Sequence, residues 1–220
     1  MVRKLHRSRI SLSLVFSLAF FWLLGSVVLS DKVRAGAAPE VRVGSAAPGF
    51  TATDSNGKSE SLDQFKGKFV VLEWHNQGCP YTKKHYVSGN MQALQKDWTA
   101  KGVVWLTVIS SAPGTQGYVT ASEENSYLSR MHAAPTAVLL DSDGKVGRLY
   151  SARTTPQMVV IDPSGKVIYD GAIDDRPTPD PDDVKGARNY VSEALGAALA
   201  GKPVPTPYTR PYGCSVKYAN

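Results

Sequence analysis

Cysteine is scarce in this chain. Its 220 residues hold two, Cys79 and Cys214, 135 positions apart. No local pair of thiols exists, so any partnership between them is long-range. Histidine is scarce as well, with four in all. His75 and His85 flank Cys79 and His132 lies further on. Thiolate and imidazole together can hold copper or zinc, but nothing fixes a fourth ligand, and neither a metal nor another cofactor is expected. Internal repeats are absent. An excess of positive charge is present on paper only: the formal net charge is +6 and the pI about 9.3. Of the 25 basic residues six lie in residues 1–37, and of the 19 acidic residues one does, which leaves 19 against 18. The basic character belongs to the first 37 residues, and nucleic acid is excluded as the partner class that charge alone would suggest.

That opening segment has the layout of an export signal. Arg3, Lys4, Arg7 and Arg9 precede an uncharged, mostly apolar run of 20 residues, Ile10 to Leu29, followed by Asp31 to Arg34 and the small residues Ala35-Gly36-Ala37-Ala38. Cleavage after Ala37 would leave a chain starting at Ala38. The run is also long enough to span a bilayer of roughly 30 Å, so a membrane tether through residues 10–29 stays open beside cleavage. Both readings place the remainder outside the cytoplasm, periplasmic or secreted, because the basic flank stays inside. The expected organisation is a leader over 1–37, one domain over 38–201 and a tail over 202–220 that carries Cys214. Two cysteines in an oxidising compartment can pair.

Cys79 follows the apolar run Phe69-Val70-Val71-Leu72-Glu73-Trp74 and precedes Pro80. A cysteine at the start of a helix faces unpaired backbone N–H groups and a positive partial charge, which favour the thiolate, the nucleophilic form. Pro80 suits the first helical position, and Lys83 and Lys84 add positive charge one turn on. An inert core cysteine is the alternative.

The rest of the chain reads as alternating strands and helices. Residues 41–57 alternate apolar and polar and end in Asn56-Gly57, which predicts short strands and a hairpin. Ser61 to Gly67 reads as one capped helical turn. Phe69–Trp74 and Val103–Ile109 are buried strands, with a helix from Pro80 to about Ala100 between them, so the two strands are a parallel pair. A helix over Ala121–Met131, a strand over Thr136–Asp141 and a short helix from Asp143-Gly144 through Tyr150 follow. Gln157–Ile161 and Val167–Asp170 form an antiparallel hairpin across Asp162-Pro163-Ser164-Gly165. Asp174–Asp183 is a loop, Val184–Ala200 a last helix, and the tail, with four prolines, shows no period.

This order, with Trp74, Cys79-Pro80 and a Thr155-Pro156 before the hairpin, resembles the thioredoxin fold. More closely it resembles the alkyl hydroperoxide reductase and thiol-specific antioxidant (redoxin) branch, on Val43 to Phe50, Leu62 to Lys68 and Pro156 to Tyr169. Closest is a peroxiredoxin-like subfamily with Cys79-Pro80-Tyr81, Ile173-Asp174-Asp175 and Gly213-Cys214. The resemblance implies an α/β, thioredoxin-like fold: a central mixed β-sheet flanked by helices, with an N-terminal β-hairpin extension and a C-terminal tail. It aligns Cys79 with the attacking cysteine of thioredoxins, with Thr82 where their second cysteine stands. Relative to Cys79, the positions of the peroxide-binding signature hold Leu72 and Asn76, so that signature is absent.

The resemblance further implies that Glu73 is a buried acid with a raised pKa that moves the thiol's proton. A strand glutamate reaching solvent is the alternative. Pro156 takes the place of the family's cis-proline, and Thr155, with Pro80 and Tyr81, would meet an extended substrate. His75 and Lys83 would stabilise the thiolate. The expected activity is that of a thiol-disulfide oxidoreductase: Cys79 attacks a protein or small-molecule disulfide, Cys214 on a flexible tail resolves it, and an unidentified thiol reductant restores the pair. A structural Cys79–Cys214 disulfide in a non-catalytic binding module, worth ~2 to 4 kcal/mol, and a copper- or zinc-binding protein are the alternatives.

Overall fold

The computed structural model describes residues 41–219. The leader or anchor expected over residues 1–37 lies outside the described residues. Among those described, no helix is long and apolar enough to cross a membrane.

Among the described residues, strands and α-helices follow in the order β1 (Thr51–Thr53), β2 (Ser59–Ser61), β3 (Val70–Trp74), α1 (Pro80–Val87), α2 (Asn90–Thr99), β4 (Val104–Ile109), α3 (Ala121–Met131), β5 (Ala137–Leu140), α4 (Lys145–Leu149), β6 (Thr154–Thr155), β7 (Gln157–Ile161), β8 (Val167–Gly171), α5 (Tyr190–Leu199) and β9 (Cys214–Ser215). Five strands make the central sheet in the order β5-β4-β3-β7-β8. β3 runs parallel to β4 and β4 to β5, while β7 is antiparallel to both β3 and β8. The sheet is therefore mixed, and β3, which leads into Cys79, is its middle strand.

Alternation along the strands builds a core on each face. Val70, Leu72 and Trp74 join Leu106, Val108, Leu139, Val159 and Ile161 beneath the N-terminal segment (Val41, Phe50) and α4 (Val146). Val71, Trp105, Met158 and Tyr169 face Tyr86 of α1, Met91, Leu94 and Trp98 of α2, Tyr127 of α3 and Val191 and Leu195 of α5. α3 starts where the sequence places it because Thr120 and Glu123 form a reciprocal capping box.

Several expectations change. The helix predicted from Pro80 to Ala100 is two helices: Gly89, at φ +76°, turns the chain between α1 and α2. The last helix starts at Tyr190 rather than Val184, because Asn189 accepts the Ser192 N–H and caps it there. Ser61 precedes a 3-10 turn, Leu62–Phe65, without capping it through its side chain. The hairpin is confined to β1 and β2, and residues 41–44 form no strand. The tail is the largest change. Expected to be flexible, it is bound by main-chain hydrogen bonds to three parts of the domain: Asp170 N–H donates to Pro207 O (3.1 Å), Val216 N–H to Arg153 O (3.0 Å) and Ala112 N–H to Lys217 O (2.7 Å). β9 pairs antiparallel with β6, setting Cys214 opposite Thr155.

Candidate active site

Cys79 is the N-cap residue of α1, with Pro80 at the first helical position. The turn before it is held locally: Asn76 accepts the Gly78 N–H on its side chain (2.8 Å) and the Cys79 N–H on its carbonyl (3.0 Å). Cys79 is 0% exposed, and its thiol donates to the Thr155 carbonyl at 3.1 Å. The Thr155-Pro156 peptide bond is cis. Gly213, at φ +131°, lies so close to this peptide that any Cβ there would collide with the Thr155 carbonyl oxygen. That close approach lets the next residue, Cys214, pair with Thr155 and meet Cys79.

The two thiols are free, and each shifts the ionisation of the other. Burial pushes the Cys79 thiol up. Hydrogen bonds from the Cys214 thiol, the Thr155 hydroxyl and the backbone N–H groups of Thr82 and Cys214 more than offset it and hold Cys79 below an ordinary thiol. Cys214 moves the opposite way, to about 11, because burial and the neighbouring Cys79 sulfur disfavour a second thiolate, with Lys217 pulling weakly against them. The pair is thus asymmetric: Cys79 is the more easily ionised of the two thiols, and Cys214 the one that holds its proton more tightly.

Beneath Cys79 lies a buried charge cluster. Glu73, 0% exposed, accepts hydrogen bonds from Tyr86 Oη (2.8 Å), Trp105 Nε1 (2.8 Å), Gln95 Nε2 (3.2 Å) and Thr107 Oγ1 (3.2 Å). His75 stands between two carboxylates, with Nδ1 3.8 Å from Glu73 and Nε2 3.9 Å from Glu124, and its ring packs on Tyr86 and Tyr127. Burial opposes the imidazolium, but Glu73 and Glu124 raise His75 above its ordinary value. The expected raised pKa of Glu73 is corrected: burial does push it up, but His75, Trp105 and Tyr86 outweigh burial and the carboxyl lies low. The alternative of a glutamate reaching solvent is corrected as well.

Glu124 is the carboxyl that burial raises. Sequence reasoning missed it, because on α3 it reads as one of two first-turn acids, and only Glu123 serves the cap.

Of the other predicted site residues, Pro80 is exposed and Tyr81 half-buried, its ring edge-on to Tyr212 at 5.9 Å. Lys83 is exposed. The buried lysine is Lys84, which is turned away from the thiol toward Asp174, 3.5 Å from Nζ. His85 is turned the same way, with Nε2 3.9 Å from Asp174 Oδ2 and Nδ1 2.9 Å from Asn90. His75 and His85 thus point into different clusters. Among the described residues no three His, Cys, Asp or Glu side chains are grouped as metal ligands.

The AhpC/TSA family model matches residues 43–170. The chain belongs to the AhpC/TSA family. The match takes in Cys79 and the Thr155-Pro156 bond but stops before the tail, so Cys214 is supplied from outside the matched region. Thiol-disulfide oxidoreductase ResA from Bacillus subtilis (strain 168) is 30% identical over 125 residues, which are 57% of this chain and 64% of that protein. The chain therefore matches less than two thirds of that relative. A solved structure of an uncharacterized conserved protein from Geobacillus kaustophilus superposes with a TM-score of 0.68 at 24% identity, covering 82% of this chain and 94% of the other. A hypothetical protein from Sinorhizobium meliloti 1021 gives 0.66 at 22% identity, covering 82% and 96%. The fold is thioredoxin-like, with the mixed sheet and flanking helices that the sequence resemblance implies.

Proposed function

We propose that the chain is an exported thiol-disulfide oxidoreductase whose working unit is the Cys79–Cys214 pair. The observation that carries this reading is the meeting of two free thiols over the Thr155-Pro156 peptide, one favoured as a thiolate and the other as a thiol. Thiol exchange needs this asymmetry, because the attacking or leaving sulfur should bear the charge. ResA, named for the same activity, supports the reading, and the basic-then-apolar sequence of residues 1–37, which reads as an export signal, supports export.

The exposure of the two sulfurs supports an order for the steps. Cys79 is fully buried and Cys214 is not, so the outward sulfur of a Cys79–Cys214 disulfide is that of Cys214. A partner thiolate attacks there, the intramolecular S–S bond breaks, and Cys79 departs as the better-stabilised thiolate, leaving a mixed disulfide on Cys214. A second reductant thiolate attacks the partner sulfur of that mixed disulfide, which releases the oxidised reductant as its disulfide and frees Cys214 to take up a proton. The reduced pair then acts on substrate: the Cys79 thiolate attacks a substrate disulfide and one substrate sulfur leaves as a thiolate, after which Cys214 attacks the Cys79 sulfur of the mixed disulfide, releases the second substrate sulfur and closes the Cys79–Cys214 bond. Because β9 occupies the edge of β6, an extended peptide substrate competes with the tail for Thr155.

A purely structural disulfide is less favoured, since main-chain bonds hold the tail with both thiols reduced. The missing peroxide-binding residues at Leu72 and Asn76 argue for disulfide chemistry over peroxidase chemistry. The test is insulin reduction with dithiothreitol, run beside hydrogen peroxide consumption, on wild type, Cys79→Ser and Cys214→Ser. Loss of insulin reduction in Cys79→Ser is expected. Equal rates in all three would sink the reading.

A further inference from the structure

We propose that Asp174 is a positioning residue that, with Lys84 and Tyr212, forms a buried latch seating the tail so that Cys214 meets Cys79. The inference rests on the redox reading of that pair. Asp174 belongs to the Ile173-Asp174-Asp175 motif, to which thiol exchange itself gives no role. It is 2% exposed. Its Oδ1 accepts the Tyr212 hydroxyl and the Arg176 N–H, the latter at 3.0 Å. Its Oδ2 has no hydrogen-bond donor and faces Lys84 Nζ at 3.5 Å and His85 Nε2 at 3.9 Å. Lys84 is 1% exposed. It donates to Arg176 O (2.5 Å) and Tyr212 Oη (3.4 Å), with its ammonium 5.5 Å from the Tyr212 ring centroid.

The latch joins three parts of the chain. Lys84 lies on α1, the helix that Cys79 caps; Asp174 follows β8; Tyr212 lies on the tail two residues before Cys214. A buried ammonium and carboxylate gain little net stability over apolar packing, because desolvation offsets their attraction. What they supply is a unique geometry, and the tail needs one. β9 pairs with β6 over two residues only, and a slip of one residue would turn Cys214 to the opposite face. Tyr212, anchored two residues upstream, sets that register. Its ring also packs edge-on to Tyr81, two residues after Cys79, so the same side chain ties the tail to both cysteines' surroundings.

The test uses the full chain as wild type, Tyr212→Phe and Asp174→Asn. Each is equilibrated in glutathione buffers of graded ratio, and the Cys79–Cys214 disulfide is quantified by acid quench, alkylation and mass spectrometry. In parallel, the Cys79 thiolate is titrated by its ultraviolet absorbance. Tyr212→Phe keeps the ring and loses only the hydroxyl. It should lower the disulfide equilibrium constant about tenfold or more and move the Cys79 midpoint upward, since Cys214 no longer donates to it. Asp174→Asn should do the same. If folded Tyr212→Phe keeps both wild-type values, the latch is refuted, even where Asp174→Asn fails to fold. If wild type forms no such disulfide at any ratio, the redox reading falls first. The thiolate midpoint still decides the latch in that case, because it reports the seating of Cys214 without any disulfide.

Discussion

Glu73→Gln separates two roles for the buried carboxylate under Cys79. As a charged acceptor, Glu73 satisfies four donors, from Tyr86, Gln95, Trp105 and Thr107, and faces His75 at 3.8 Å. Gln keeps the shape, but removes the charge and points an NH2 group at donors. The Tyr86 hydroxyl can rotate and accept; the Trp105 indole N–H cannot. One mispaired donor costs about 1 to 3 kcal/mol. The buried His75 ring also loses one of the two carboxylates beside it, which brings the expected loss to roughly 2 to 4 kcal/mol. For a domain of this size each kcal/mol lowers Tm by about 2 to 4 °C, so calorimetry should show a drop of roughly 5 to 15 °C. Glu73→Ala would orphan all four donors and is expected not to fold.

The rate of thiol exchange per folded molecule is the second half of the experiment. Loss of a proton-transfer group costs about 10²- to 10⁴-fold. Because the Glu73 carboxyl is held low and saturated with donors, the folded Glu73→Gln protein should exchange within about threefold of wild type, far from the loss typical of a general acid or base. A variant that melts within about 2 °C of wild type but exchanges a hundredfold slower would refute this account and restore Glu73 as the proton carrier.

Other outcomes follow from the same geometry. Cys214→Ala removes a hydrogen bond to Cys79, so the Cys79 thiolate should titrate at higher pH than in wild type; alkylation rate against pH measures this, and an unchanged midpoint would show that the sulfurs do not interact. His75, raised in the folded state, contributes stability that is fully present below about pH 6.5 and is lost as pH rises through its higher folded value. Glu73, lowered in the folded state, contributes stability that is present above about pH 4.3 and is lost as pH falls through its folded value. Urea denaturation against pH should therefore show wild type weakening on the alkaline side more than His75→Gln; parallel curves would remove His75 from the account. Gly213→Ala places a Cβ against the Thr155 carbonyl oxygen, so β9 should leave β6 and native-state alkylation of Cys79 should accelerate. Unchanged protection of Cys79 would mean that the tail does not cover it.

What the sequence made legible was local. β3 and β4 show as continuous apolar runs because both of their faces are buried, and α3 shows because its cap lies within four residues of its start. Cys79-Pro80 shows as a helix start for the same reason. The break at Gly89 was carried by one glycine inside an otherwise periodic stretch, too little to interrupt a pattern that Met91, Leu94 and Trp98 continue. The sign of the Glu73 shift was not legible at all. An acid in an apolar strand suggests burial, but its donors come from α1, α2 and β4, 13 to 34 residues away in sequence, and no spacing rule joins them. The tail was hidden for a related reason. Its strand is two residues long, its prolines break any period, and its partners are Thr155, Asp170 and Asp174, elements that exist only once the sheet has formed. Gly213-Cys214 was readable as a motif, yet the reason for the glycine is the cis Thr155-Pro156 peptide lying against it. The site is therefore completed by the tail, and Cys79 meets Cys214 only where that segment docks beside Thr155.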